Sequence, residues 1–129
     1  MKHKLYTTYL AKLKNNKQLL SEDCVIAIIM RFPPFIPEDG STIHVSELSP
    51  KGTLLSEYKK DKDFEVFSNK LWKQWQSNEE GAMDAIKNIE EALEHNDVCL
   101  VCCEKDINEC HRKILGEYFK FAGFEWEEL

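Results

Sequence analysis

"VCLVCCEKDINECHR", residues 98–112, decides how the rest of the chain is read. Its first six positions are a continuous apolar run, the pattern of a β-strand covered on both faces. Charged residues then end the run. Asp106 with Glu109 three positions later makes an acidic version of a helix capping box. Ile107, Ile114, Leu115, Tyr118, Phe119 and Ala122 follow at helical spacing, so a helix is predicted from Asp106 to a stop at Gly123. The whole stretch therefore carries the chain from a buried strand through a polar loop into an amphipathic helix.

Working outward, "CVIAIIM", residues 24–30, is a second continuous apolar run, ended by Arg31 and the breaker "FPPFIP". "KLYTTYLA", residues 4–11, has β propensity from its Tyr and Thr residues, and the polar "KLKNNKQLLSED" after it predicts a short helix or turn. Residues 31–48 carry three prolines and "EDGS", which predicts a long surface loop without regular pairing, a kind of segment that often carries function. Ser49 followed by Pro50 predicts a helix start leading into "KGTLLSEYKK". Phe64, Phe67, Leu71 and Trp75 predict a second helix from about Asp63, with an aromatic stripe that reads as core. Ser77 with Glu80 predicts a capping box before "GAMDAIKNIEEALEHN", where Ala82, Ile86, Ile89 and Leu93 share a face and Asn96 is a left-handed stop. "FEWEEL", residues 124–129, is a short edge strand or a tail.

Buried strands alternating with amphipathic helices predict an α/β fold, a three-layer domain with a small, mainly parallel sheet covered by helices. Taking the three strands in chain order, the expected arrangement is 2-1-3, with a crevice at the carboxyl ends. Arg31, Thr8, Tyr9, Cys103 and Glu104 each end or follow a strand and so are expected near it.

The 129 residues, 43% of them apolar, suit one core, and residues 1–129 are expected to form a single domain. The 23 acidic against 17 basic residues leave a net charge of −6, which argues against an extended surface for nucleic-acid phosphates. No apolar run approaches the ~20 residues of a membrane helix, and the amino terminus lacks a signal-peptide core. A cytoplasmic protein with no membrane partner is expected. The five cysteines are odd in number and lie partly in apolar runs, which favours reduced thiols over a disulfide framework.

Chemically, residues 102–112 admit several readings. Zinc knuckles use C-x-x-C or H-x-x-x-H pairs, and neither occurs; Cys102 and Cys103 alternate across a strand, while Cys110 and His111 diverge on a helix. A mixed site of Cys103, Cys110 and His44 has no such spacing, and no metal or cofactor is expected. A phosphatase or rhodanese loop wants glycine and, in phosphatases, an arginine six positions after the cysteine, where Glu109 stands. Cys110 in a first helical turn, beside His111 and Arg112, would gain thiolate character; it also falls on the apolar face, which makes it a packing residue. His111 lies at the border of that face. Arg31, Arg112 and Lys105 could hold an anion at the strand ends, or pair with Glu104 and other carboxylates to lock the loops.

"CLVCCEKDINECHRKILGEYF" resembles the Cys-x-Glu-Lys and Cys-His-Arg signature of the domain-of-unknown-function 488 (DUF488) family. "KLYTTYLAKLK", "IAIIMRFPP" and "ELSPKGTLLSEYKK" resemble, in colinear order, the opening of one subgroup, its second strand and its Leu-x-Pro helix start. The resemblance implies a small cytosolic α/β domain and no particular reaction. It assigns the signature to Cys103, Glu104, Lys105, Cys110, His111 and Arg112, with Cys102 as an extra cysteine. The acidic "DINE" spacer and the long "PPFIPEDGSTIH" loop depart from the family pattern. Some relatives carry a transcriptional-regulator label, but no helix-turn-helix pattern is visible in this chain.

Three functions are thus expected to compete. The first is a pocket for a small anionic ligand, phosphate or nucleotide-like, with Arg31, Cys103, Lys105, Arg112, Thr8 and Tyr9 as binding residues; Glu104, Cys110 and His111 are the catalytic candidates if it carries out a reaction. The second is a protein-interaction module in which the same residues form a structural salt-bridge and capping network. The third is a thiol- or metal-dependent enzyme.

Overall fold

The structure, a computed structural model, describes residues 3–33 and 42–129, with the side chains of residues 14, 16 and 17 left aside. Five strands form one sheet in which every pairing is parallel: β1 (Lys4–Tyr9), β2 (Val25–Ile28), β3 (Thr42–His44), β4 (Val98–Cys102) and β5 (Glu125–Glu128). The helices are α1 (Leu10–Asn16), α2 (Gly52–Asp61), α3 (Phe64–Ser77), α4 (Ala82–Leu93) and α5 (His111–Phe121), with 3-10 turns at Lys17–Leu19, Ser46–Leu48 and Ile107–Glu109. The α/β reading of the sequence holds.

Alternation along the strands splits the core in two. Leu5, Ala27, Ile29, Val98, Leu100 and Cys102 face α3, α4 and α5. Ile26, Ile28, Met30, Cys99 and Val101 face Leu10 and Leu13 of α1. The stripe on α3 is core as expected, with Phe67, Leu71 and Trp75 buried and Phe64 half-buried. α5 docks over β1 and β5, where Gly116 lets the Trp126 indole lie against the helix backbone.

The strand order is β3-β2-β4-β1-β5, so the expected 2-1-3 arrangement is corrected: β4, not β1, is central. The reason is burial. All five β4 residues are buried, whereas Lys4, Tyr6 and Tyr9 of β1 are only half-buried, and a strand with apolar groups on both faces gains most at the centre, about 1.5–3 kcal/mol for each large side chain. Of the loop expected over 31–48, residues 34–41 lie outside the described residues. Its far end is ordered: Thr42–His44 adds β3 to β2, correcting the expectation of no regular pairing.

Several helix ends also differ from expectation. Ser49 Oγ donates to the Ser46 carbonyl at 2.6 Å, which draws it into the preceding turn, and α2 starts later, after Lys51. Ser77 Oγ turns back to the Gln74 carbonyl at 2.6 Å; Asn78 Oδ1 instead accepts from the Met83 amide at 3.0 Å. The left-handed residues among those described are Lys62, Asn78, Gly81 and Gly123, not Asn96. Asp106 does cap, accepting from the Asn108 amide at 2.9 Å, but it caps a 3-10 turn. The chain then extends at Cys110 (φ −126°, ψ 142°) and α5 begins at His111. Among the described residues no helix is long and apolar enough to cross a membrane.

Candidate functional site

The crevice follows from topology. β2 and β4 are neighbours, but the chain leaves β2 outward to β3 and leaves β4 through α5 to β5 on the far side. Connections diverging from adjacent parallel strands open a crevice at their carboxyl ends. A cleft of about 320 Å³ lies there. Met30, Arg31 and Phe32 enter it from beyond β2, and Cys102, Cys103 and Glu104 from the end of β4. Glu109, Cys110 and His111 come from the turn into α5. Ser49, Pro50, Leu55, Lys59 and Phe67 close the opposite wall. A recess of about 210 Å³ between α2 and α3 and a more open one of about 430 Å³ over α3 and α5 have no cysteine or histidine in their linings.

At the cleft floor, Cys102 and Cys110 are joined as a disulfide, which corrects the expectation of reduced thiols for this pair; Cys24, Cys99 and Cys103 are free. Cys102 points to the α5 face and is buried, while Cys103 alternates away and is exposed. Cys102, the second position before Glu104, is therefore the sulfur that meets Cys110, not Cys103. Their Cα atoms are 7.7 Å apart. His111 completes the floor. Its Nε2 lies 2.8 Å from the Ile29 carbonyl oxygen; since a carbonyl only accepts, Nε2 donates and Nδ1 keeps a lone pair, 3.8 Å from the Cys110 sulfur. Burial pushes the His111 pKa down to about 4 against the opposing effect of the Ile29 bond, with the nearby Arg112 charge adding to the lowering. The imidazole is thus neutral near pH 7. Cys102, Cys110 and His111 each offer one ligand atom, all within 4.8 Å of one another.

Arg112 does not line the cleft. It is fully buried, because α5 starts later than the sequence suggests and turns this side chain under β4 and β5. Nε and Nη2 donate to Glu128, the shortest contact being 2.7 Å. Nη1 donates to the Cys102 sulfur at 3.1 Å and to the Glu104 carbonyl, and Nη2 also to the Lys105 carbonyl at 3.2 Å. Every N–H of the guanidinium has an acceptor. The network continues through Glu128, which accepts from Thr7 Oγ1 at 2.6 Å, and Thr7 Oγ1 accepts from Trp126 Nε1 at 2.7 Å. This is the locking role weighed for Arg112 from sequence, applied to the loop that carries Glu104.

The other expected site residues separate. Arg31, Cys103, Glu104, Cys110 and His111 share the cleft. Thr8, Tyr9 and Lys105 are not among its lining, because the crevice opens between β2 and β4 and not beside β1. Thr8 is buried with its Oγ1 unpartnered, and Tyr9 packs over the Arg112 guanidinium, 5.9 Å from ring centre to Cζ. The mixed set of Cys103, Cys110 and His44 does not gather; His44 Nε2 lies 2.7 Å from the Met30 carbonyl. Arg31 pairs with Glu80 at 2.9 Å, and Tyr58 donates to Glu109 at 3.4 Å.

Sequence reasoning missed Lys59, Leu55, Ser49 and Phe67 as wall residues, and Glu128 as the partner of Arg112. No local sequence pattern marked the wall; in the structure α2 buries none of its residues, as suits a helix lying over an opening.

A protein-family model, DUF488-N3a, described as "Active DUF488-N3 subclade", matches residues 8–123. No curated protein and no solved structure matches the chain.

Proposed function

The chain belongs to the DUF488 family, within its N3a subclade, and on that premise we propose that the cleft between β2 and β4 binds a small ligand carrying an anionic group, phosphate or nucleotide-like. The observation that supports this reading is the meeting of opposite chemistries around one small-molecule-sized space. Arg31 and Lys59 supply positive charge, and Met30, Phe32, Leu55 and Phe67 supply apolar wall. A guanidinium and an ammonium suit a phosphate or carboxylate. Glu104 and Glu109 in the same lining suit hydroxyl or amino donors on the same ligand, the mixture that a nucleotide or sugar phosphate offers. Pockets of a few hundred Å³ with apolar walls and a few convergent polar groups are the usual form of small-ligand sites.

Roles follow from position. Arg31 and Lys59 hold the anion, and Glu104 orients the ligand or exchanges a proton with it. Arg112 works from behind, fixing the backbone of Glu104 and Lys105 instead of touching the ligand. Thermal-shift titration with nucleotides and sugar phosphates tests this. At least one ligand is expected to raise the melting temperature, and the rise is expected to shrink at least several-fold in Arg31→Ala and Lys59→Ala. No shift across the set, or an undiminished shift in both variants, contradicts the proposal.

A further inference from the structure

We infer that the thiols of Cys102 and Cys110, when that disulfide is reduced, form with His111 a binding site for a thiophilic divalent metal ion of the zinc class, with its remaining coordination position open to the cleft. From sequence the spacing of these residues argued against metal. The fold supplies what the spacing lacked: a strand end and a helix start, eight residues apart in the chain, face one another across a turn and bring two sulfurs and an imidazole within 4.8 Å. Two thiolates and one imidazole are a donor set of the zinc type, and three protein ligands leave a position for water or substrate.

The surroundings point the same way. His111 Nδ1 aims its lone pair at the cluster because Nε2 is committed to the Ile29 carbonyl at 2.8 Å, the outer hydrogen bond that metal-bound histidines commonly make. Arg112 Nη1 donates to the Cys102 sulfur at 3.1 Å, which stabilises a thiolate, while Glu128 balances the guanidinium at 2.7 Å, so no net positive charge confronts the ion. Two thiolates then neutralise one divalent cation. The Cα separation of 7.7 Å leaves room for the sulfurs to part to the roughly 3.8 Å that two ligands of a tetrahedral ion with Zn–S bonds near 2.3 Å require. On binding, each thiol gives one proton to solvent, and His111 gives none.

This inference stands apart from the anion reading, since its test uses metal ions alone. The full chain, reduced with a phosphine and stripped of metal, is titrated with Co²⁺. A sulfur-to-cobalt charge-transfer band is expected to saturate at one equivalent, to persist in Cys103→Ala, to vanish in Cys110→Ala and to be displaced by Zn²⁺. Because Cys110→Ala could unfold, X-ray absorption of the zinc-loaded wild type gives an answer without substitution: two sulfurs at about 2.3 Å with nitrogen or oxygen completing the shell. Absence of the band from reduced, folded protein, a band lost with Cys103, or a zinc shell without two sulfurs overturns the inference.

Discussion

Arg112 and His111 are adjacent in sequence and opposite in chemistry. Arg112 is a buried cation whose five donors are all used, so its replacement leaves the Glu128 carboxylate and two carbonyls short of partners. Removing one member of a buried pair costs about 3–5 kcal/mol; Glu128 keeps some solvent contact, which favours the lower part of that range. Arg112→Lys is expected to recover little, because an ammonium cannot span carboxylate, sulfur and two carbonyls at once. Urea denaturation of Arg112→Ala and Arg112→Lys checks this, and near-wild-type stability for Arg112→Lys would refute the fork geometry. His111 is buried neutral, its pKa lowered to about 4 from the usual 6.5. The unfolded chain therefore takes up a proton at higher pH than the folded one. Stability is full above about pH 6.5 and falls as pH drops from there towards 4, by about 2 kcal/mol at pH 5 relative to pH 7.5. Denaturation of metal-free protein at the two pH values, with a His111→Gln control that flattens the difference, measures it.

Among the elements, the junction of α5 with β5 is the most exacting. Gly116 has no room for a Cβ because the Trp126 indole occupies that space, and the same indole donates to Thr7, which reaches Glu128 and hence Arg112. Gly116→Ala gains about 1 kcal/mol of helix propensity but displaces the ring, and overpacking of this kind costs about 1–3 kcal/mol. A net loss of stability is expected, together with a changed tryptophan fluorescence spectrum; a stabilised variant with an unchanged spectrum would show that the ring does not seat there. This docking was not legible in "FEWEEL", since whether a four-residue segment pairs depends on a groove built by residues over a hundred positions away. The strands "CVIAIIM" and "VCLVCC" were legible because a continuous apolar run has few other stable fates. Their order was less so, although the polar character of "KLYTTY" beside "VCLVCC" was the available hint that β4 sits at the centre. The helix starts differ from the sequence pattern where a serine hydroxyl turns back to a carbonyl of the preceding turn, as Ser49 and Ser77 do.

For the whole molecule, an acidic chain with net charge −6 brings three of its five cysteines, one of its four histidines and the cations Arg31 and Lys59 to one crevice between diverging strand connections. Arg31, Glu104, Cys110 and His111 could be placed there from sequence because each ends a strand or starts the helix after one, and parallel sheets gather such positions on one edge. Lys59 and the rest of the α2 wall could not, because the folding of that helix over the opening is set by packing on α3 and not by any local pattern. The same long-range geometry turned Arg112 from an expected ligand contact into a buried support. The most direct test of the central claim is amide chemical-shift mapping of the isotopically labelled protein with a ligand identified by thermal shift. Changes are expected to cluster at residues 30–32, 49–59 and 103–111 around the cleft. Changes confined to the α2–α3 recess or the α3–α5 surface, with the cleft amides unmoved, would contradict the account.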